Sequence, residues 1–208
     1  NKQHLGIDGG IMITASHNPK GYNGMKMVKS GSKPISGSDE LKLIHDYILE
    51  NNKNIKQNSP VSVGKAISEE DKSSYVAHLL EYVNLKKLKP LKIVVNSGNG
   101  SAGPVIRLLE KFLPFEFIYM NEKPDGSFPN GVPNPMILEN QISTSKKVVE
   151  SKADIGIAWD GDFDRCFLFD ENGKFIEGYY VVGLLAKTFL NKHKGAKIIH
   201  DPRLIWNS

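Results

Sequence analysis

The stretch that decides the fold is Leu91–Pro104, LKIVVNSGNGSAGP. It opens on Leu91-Lys92-Ile93-Val94-Val95-Asn96, an apolar, β-branched run that reads as a strand. Glycines at 98, 100 and 103 then turn the chain. Pro104 falls in the first turn of a following helix, where its missing N–H costs little. That helix is expected to reach Leu113, and a strand follows from Phe115 to Met120. Strand, helix and strand in this order are the unit of an α/β layer.

Downstream, Asn121 to Asn134 is a long Pro/Gly loop, Leu138 to Ser151 reads as a helix, and Ala153 to Ala158 as a strand. Cys166 to Phe169 and Phe175-Ile176 read as strands joined by a hairpin turn, Glu171-Asn172-Gly173-Lys174. A helix from Tyr180 to Leu190 and a last strand from Ala196 to His200 complete this side. Upstream, Glu69 to Val83 reads as a helix, with Tyr75, Leu79, Leu80 and Val83 on one face. Asn51 to Gly64 is rich in Asn, Lys and Ser and reads as an exposed connector and domain boundary. Before it come a helix from Ser38 to about Leu49, turn chemistry from Lys29 to Gly37, and strands at Met25–Val28 and Ile11–Ile13.

Two loops carry the chemistry. The first is Thr14-Ala15-Ser16-His17-Asn18-Pro19, at a strand end, followed by Tyr22-Asn23-Gly24-Met25-Lys26. Asn18, Pro19, Gly21, Asn23 and Gly24 keep it out of regular structure, and the hydroxyl of Ser16 so presented can carry a covalent group. The second is Trp159-Asp160-Gly161-Asp162-Phe163-Asp164-Arg165. Three carboxylates at alternate positions can converge on a hard cation such as Mg²⁺ or Ca²⁺. Without one, their mutual repulsion is costly. An EF-hand competes for this pattern, since Glu171 falls at its twelfth position. Arg165 stands where that loop needs Gly, and the flanks read as strands, so the EF-hand is set aside. Arg165 can pair with the aspartates.

Gly98, Gly100 and Gly103 also match the G-x-G-x-x-G of a dinucleotide-binding turn, with Glu122 roughly where its acidic residue falls. A nucleotide-binding oxidoreductase is therefore a rival from a different class; the plain alternative is a tight strand-to-helix turn. His17 beside Ser16 suggests a hydrolase dyad, but no G-x-S-x-G elbow surrounds the serine and adjacent side chains usually diverge. His4, His45, His78, His193 and His200 read as structural or solvated.

The serine loop, the YNGMK that follows it and DGDFDR, in this order and at this separation, resemble the alpha-D-phosphohexomutases. Asn96 to Gly100, Pro124 to Gly131 and Gly178-Tyr179-Tyr180 carry the likeness through nearly the whole chain. It is closest to the bacterial phosphomannomutase branch of GDP-mannose and surface polysaccharide synthesis. The resemblance implies three-layer αβα domains, with one complete middle domain flanked by partial first and third domains. Residues 1–68 would be the C-terminal part of domain I with the phosphoserine loop, 69–174 domain II with the metal loop, and 175–208 the start of domain III.

It implies an intramolecular phosphotransferase, interconverting mannose 6-phosphate and mannose 1-phosphate through a phosphoserine and a hexose bisphosphate. Phosphoglucomutase or a dual enzyme is the alternative. Ser16 and Lys26 would be catalytic, Lys26 as general acid/base with a pKa lowered by burial or neighbouring positive charge. His17, Asn18 and Arg165 would bind substrate, and Ser16, Asp160, Asp162 and Asp164 would hold Mg²⁺. The family uses no nicotinamide, which favours the plain reading of the glycine turn. Phe163 stands where many members have Gly, though some phosphomannomutases resemble this sequence there. The chain does not open on Met and stops just after an apolar run, so both ends read as cut. The fragment alone is expected to be inactive.

Composition narrows the partners. The net charge is +4, with the basic residues dispersed. No dense basic block interleaved with aromatics occurs, which argues against nucleic acid. No apolar run approaches the ~20 residues of a membrane span and no signal peptide opens the chain, so a cytoplasmic setting is expected. Cys166 is the single cysteine and excludes an intramolecular disulfide. Within Cys166-Phe167-Leu168-Phe169 it reads as a small buried apolar residue.

Overall fold

A computed structural model of the chain describes residues 6–51 and 64–199. The connector expected at 51–64 falls almost wholly outside these, as do His4 and His200. The chain divides into two compact units, one of Asn1–Ala15 with Gly21–Asp71, the other of Ser16–Lys20 with Lys72–Ser208.

The first unit holds a three-stranded antiparallel sheet, β1 (Gly9–Ile13), β2 (Met25–Lys29) and β3 (Lys33–Pro34), and the helix α1 (Gly37–Asn51). Gly9 pairs with Lys29 and Ile13 with Met25. Asp39 and Glu40 occupy the first turn of α1, where carboxylates offset the positive end of the helix dipole. Glu40 also accepts from the Lys29 ammonium. The short β3 lies in a segment read as turn. With Pro34 in a two-residue strand, only the ladder to Val28 and Lys29 reveals it.

The second unit is built on a five-stranded sheet of order β5-β4-β6-β7-β8. Its strands are β4 (Lys92–Asn96), β5 (Glu116–Met120), β6 (Ile155–Trp159), β7 (Cys166–Phe169) and β8 (Phe175–Ile176). β4 pairs in parallel with β5 and β6, whereas β7 and β8 run antiparallel to their neighbours. Side chains alternate across β4. Ile93 and Val95 pack with Ala102 and Ile106 of α3 (Ala102–Glu110). Val94 packs with Val148 of α4 (Leu138–Ser151) and with Phe169. The sheet therefore carries a helix on each face, the α/β layering expected. Val94, Val95, Val148 and Phe169 are fully buried, each contributing on the order of 1.5–3 kcal/mol.

Most elements lie within two or three residues of their expected bounds. α2 (Ser73–Leu80) begins later than Glu69, and α5 (Gly178–Lys192) is slightly longer than expected. Residues 196–199 form no strand, because no described strand pairs with them. Cys166 is exposed, not buried. It begins β7 opposite Trp159, at the open end of the strand beside the aspartate loop. No helix among the described residues is long and apolar enough to cross a membrane.

Candidate active site

Chain order reverses at β4. The connection through α3 leads to β5 on one side, and the next, through α4, crosses to β6 on the other. In open α/β sheets ligands gather at such a switch point, outside the carboxyl ends of the strands. Both the glycine turn after β4 and the aspartate loop after β6 leave the sheet there.

Asp160, Asp162 and Asp164 each place a carboxylate oxygen within 4.8 Å of the others. The turn is closed by the Phe163 amide donating to the Asp160 carbonyl at 3.1 Å. The Arg165 amide donates to the Asp160 carboxylate at 3.2 Å. Asp160 is 1 % exposed. Burial pushes its carboxyl above the ordinary range, and the nearby Asp162 and Asp164 push the same way, against hydrogen bonds from Ser16 and Arg165. The Arg165 guanidinium lies 4.0 Å from Asp160 and 3.9 Å from Asp164, a positive charge beside two of the three carboxylates. Three hard oxygen donors of this kind can hold a divalent cation such as Mg²⁺. The flanking strands rule out an EF-hand, and Glu171 lies in the β7–β8 turn.

Ser16 joins this group. Its hydroxyl donates to Asp160 Oδ2 at 2.8 Å, and its backbone is left-handed, with φ 53°. Non-glycine residues adopt that conformation at a cost of about 1–2 kcal/mol. The His17 ring does not diverge: Nδ1 lies 3.2 Å from Ser16 Oγ. The hydroxyl donates to Asp160, so its proton is not given to the imidazole. A hydrolase base would have to accept there. Asn18 is exposed beside it, and Lys26 lies in the first unit, exposed on β2 opposite Met12.

The glycine turn has a different job from the one its motif suggests. The amides of Gly98, Asn99, Gly100 and Ser101 all donate within the protein, to Asn96, Asn121, Ser97 and Gly161. A pyrophosphate would need such amides for itself. The glycines make room for backbone. A Cβ on Gly103 would overlap the Glu122 carbonyl, and one on Gly100 would meet the Gly161 carbonyl at 2.5 Å. A Cβ on Gly161 would in turn meet the Ser16 carbonyl at 2.6 Å. The Glu122 carboxylate is paired with Arg107 at 2.6 Å. Residues 98–103 are thus the seat of the aspartate loop, a role that the run of glycines facing DGD could have signalled.

Comparison with known proteins agrees with this arrangement. The family description "phosphoglucomutase/phosphomannomutase, alpha/beta/alpha domain I" matches residues 2–55, and domain II of the same family matches residues 73–173. A phosphomannomutase of Salmonella montevideo is 55% identical over 99% of this chain and 46% of its own length. Phosphohexose mutases of Xanthomonas campestris are 53% identical over 99% of this chain and 45% of theirs. The crystal structure of a Burkholderia thailandensis phosphoglucomutase/phosphomannomutase family protein superimposes with a TM-score of 0.80 at 32% identity, covering 91% of this chain and 39% of that one. The chain thus spans about half the length of the curated relatives it matches. With two domain models in sequence order and the serine and aspartate loops they bring together, the chain belongs to the alpha-D-phosphohexomutase family.

Proposed function

We propose that this chain is the phosphoryl-donor half of a phosphomannomutase, interconverting mannose 6-phosphate and mannose 1-phosphate and feeding GDP-mannose synthesis in the cytoplasm. The observation that carries the reading is the 2.8 Å hydrogen bond from the Ser16 hydroxyl to Asp160, within the group of three carboxylates. Phosphoglucose, or both sugars, is the alternative substrate, because the residues that read the sugar lie outside those described. The assignment of 1–68, 69–174 and 175–208 to domains I, II and III belongs to the same proposal.

In the proposed reaction the bond from Ser16 Oγ to phosphorus breaks and a bond from a sugar hydroxyl oxygen to that phosphorus forms. Lys26 takes the hydroxyl proton, and the hexose bisphosphate turns over. The other bond from sugar oxygen to phosphorus then breaks as that phosphorus bonds to Ser16 Oγ, and Lys26 gives its proton to the sugar oxygen released. Such transfer rests on positioning and charge stabilisation. Asp160, Asp162, Asp164 and a phosphoserine oxygen would hold Mg²⁺, which supplies neutralisation of charge at the phosphoryl group. Arg165, with a planar guanidinium, suits a phosphosugar. His17 and Asn18 position the phosphate.

The test is a coupled assay of the intact protein with mannose 1-phosphate, Mg²⁺ and a hexose bisphosphate primer. Turnover should fall by several orders of magnitude in Ser16→Ala. The 208 residues alone should not turn over. In the family, the grip on the distal phosphate and on the sugar belongs to domains III and IV, and losing it forfeits a proximity advantage of up to ~7–11 kcal/mol. Robust turnover by the 208 residues, or full activity of Ser16→Ala, would overturn the reading.

A further inference from the structure

We infer that Phe163 is a positioning residue that holds the three carboxylates together and thereby sets the affinity of the site for a divalent cation. The inference rests on the cation reading above.

Along Asp160 to Asp164 the residues alternate in what they face. Asp160, Asp162 and Asp164 gather their carboxylates within 4.8 Å. Gly161 lies against the Gly100 and Ser16 backbones. Phe163 packs against the cluster of Ile93, Val95, Ala102 and Ile106 on the α3 face of the sheet. The backbone of Phe163 is left-handed, with φ 48°, a conformation suited to glycine. A bulky residue persists there because its ring is held in the core. Without a metal ion, the carboxylates repel one another and press the turn to spread, against the pull of Arg165 on Asp160 and Asp164. The partly buried ring, packed against that cluster, opposes that spreading, so a cation meets donors already gathered.

Three variants separate the two properties of the side chain. Phe163→Ala keeps the unfavourable dihedral and removes the anchor. Phe163→Gly removes the anchor but is at ease at φ 48°. Phe163→Leu keeps an apolar anchor. Titration calorimetry with Mg²⁺ at 25 °C on the intact protein, with far-UV dichroism in EDTA to check folding, should rank them. Phe163→Ala should bind about tenfold more weakly than wild type, in the range found when groups supporting metal ligands are removed. Phe163→Gly should fall between, and Phe163→Leu should stay near wild type. If Phe163→Ala fails to fold, the order of the Gly and Leu variants decides. Affinity for Mg²⁺ unchanged in Phe163→Ala, or in Phe163→Gly where that is the variant that folds, would overturn the inference while leaving the cation site intact. Failure of the wild type to bind Mg²⁺ would remove the cation site and this inference with it.

Discussion

Strands β1 and β4 start from the same kind of sequence and end in opposite surroundings. Ile11-Met12-Ile13 and Ile93-Val94-Val95 are both short unbroken apolar runs, the pattern of a strand covered on both faces. In β4 these residues are 4, 0 and 0 % exposed; in β1 they are 63, 55 and 62 % exposed. β4 has α3 on one face and α4 on the other, with strands on both edges. In the first unit the described residues give β1 one neighbour, β2, and cover neither of its faces. An apolar run therefore states what a strand is built for, and the cover must come from elsewhere in the fold.

The largest expected effect tests that contrast directly. Phe169→Ala empties the α4 face and should cost about 3–5 kcal/mol in urea unfolding. Ile11→Ala removes an exposed side chain of similar chemistry and should cost less than about 1 kcal/mol. Equal costs would mean that β1 is covered after all.

Glycines sharpen the same comparison at smaller scale. Gly161→Ala in the second unit forces a methyl group against the Ser16 carbonyl, and overpacking of this kind should cost about 1–3 kcal/mol. Gly64→Ala in the first unit meets nothing within 4 Å and should stay within about 0.5 kcal/mol of wild type. Thermal melts of the two variants check this; a destabilised Gly64→Ala paired with a silent Gly161→Ala would reverse the assignment of crowding.

The smallest effect is a difference in sign with pH. Asp160 has its carboxyl raised, by burial first. In EDTA its contribution to stability is present below the unfolded value of about 3.9 and lost as pH rises through the folded one. Asp160→Asn should therefore be more stable than wild type near neutral pH and equal to it near pH 3. Glu40 in the first unit has its carboxyl lowered by the Lys29 hydrogen bond. Its contribution is present above the unfolded value of about 4.3 and lost as pH falls through the folded one. Glu40→Gln should thus be slightly less stable than wild type near neutral pH and indistinguishable from it in acid. Melts from pH 3 to 7 that showed the same slope for both differences would contradict these surroundings.

Much of the second unit was legible because its elements depend on local pattern. α4 falls on the span expected for it, and β7 and β8 on theirs. Asp160, Asp162 and Asp164 could be expected to lie together because alternate acids ending an apolar strand can converge, and their carboxylates do gather within 4.8 Å. What stayed hidden depends on which backbone lies beside which. Gly100 reads as a phosphate-loop glycine until the Gly161 carbonyl is found against it. Cys166 reads as buried because it begins an apolar run, and the open end of β7 leaves it exposed. The left-handed turn at Phe163 could not be read from a bulky aromatic residue, because its core anchor comes from strand β4 and helix α3.

The pairing of β4 with β6 also sets the order in which the second unit can be made. Lys92 and Asp154, which bond where these two strands begin, are 62 residues apart in the chain. During synthesis at ~5–20 residues per second, the far edge of β4 would wait roughly 3–12 s for its partner. Through that interval Ile93-Val94-Val95 would present an unpaired, apolar edge of the kind that recruits foreign strands. A protein that folds as it is made therefore has its most vulnerable moment here, after β5 has emerged and before the aspartate loop exists.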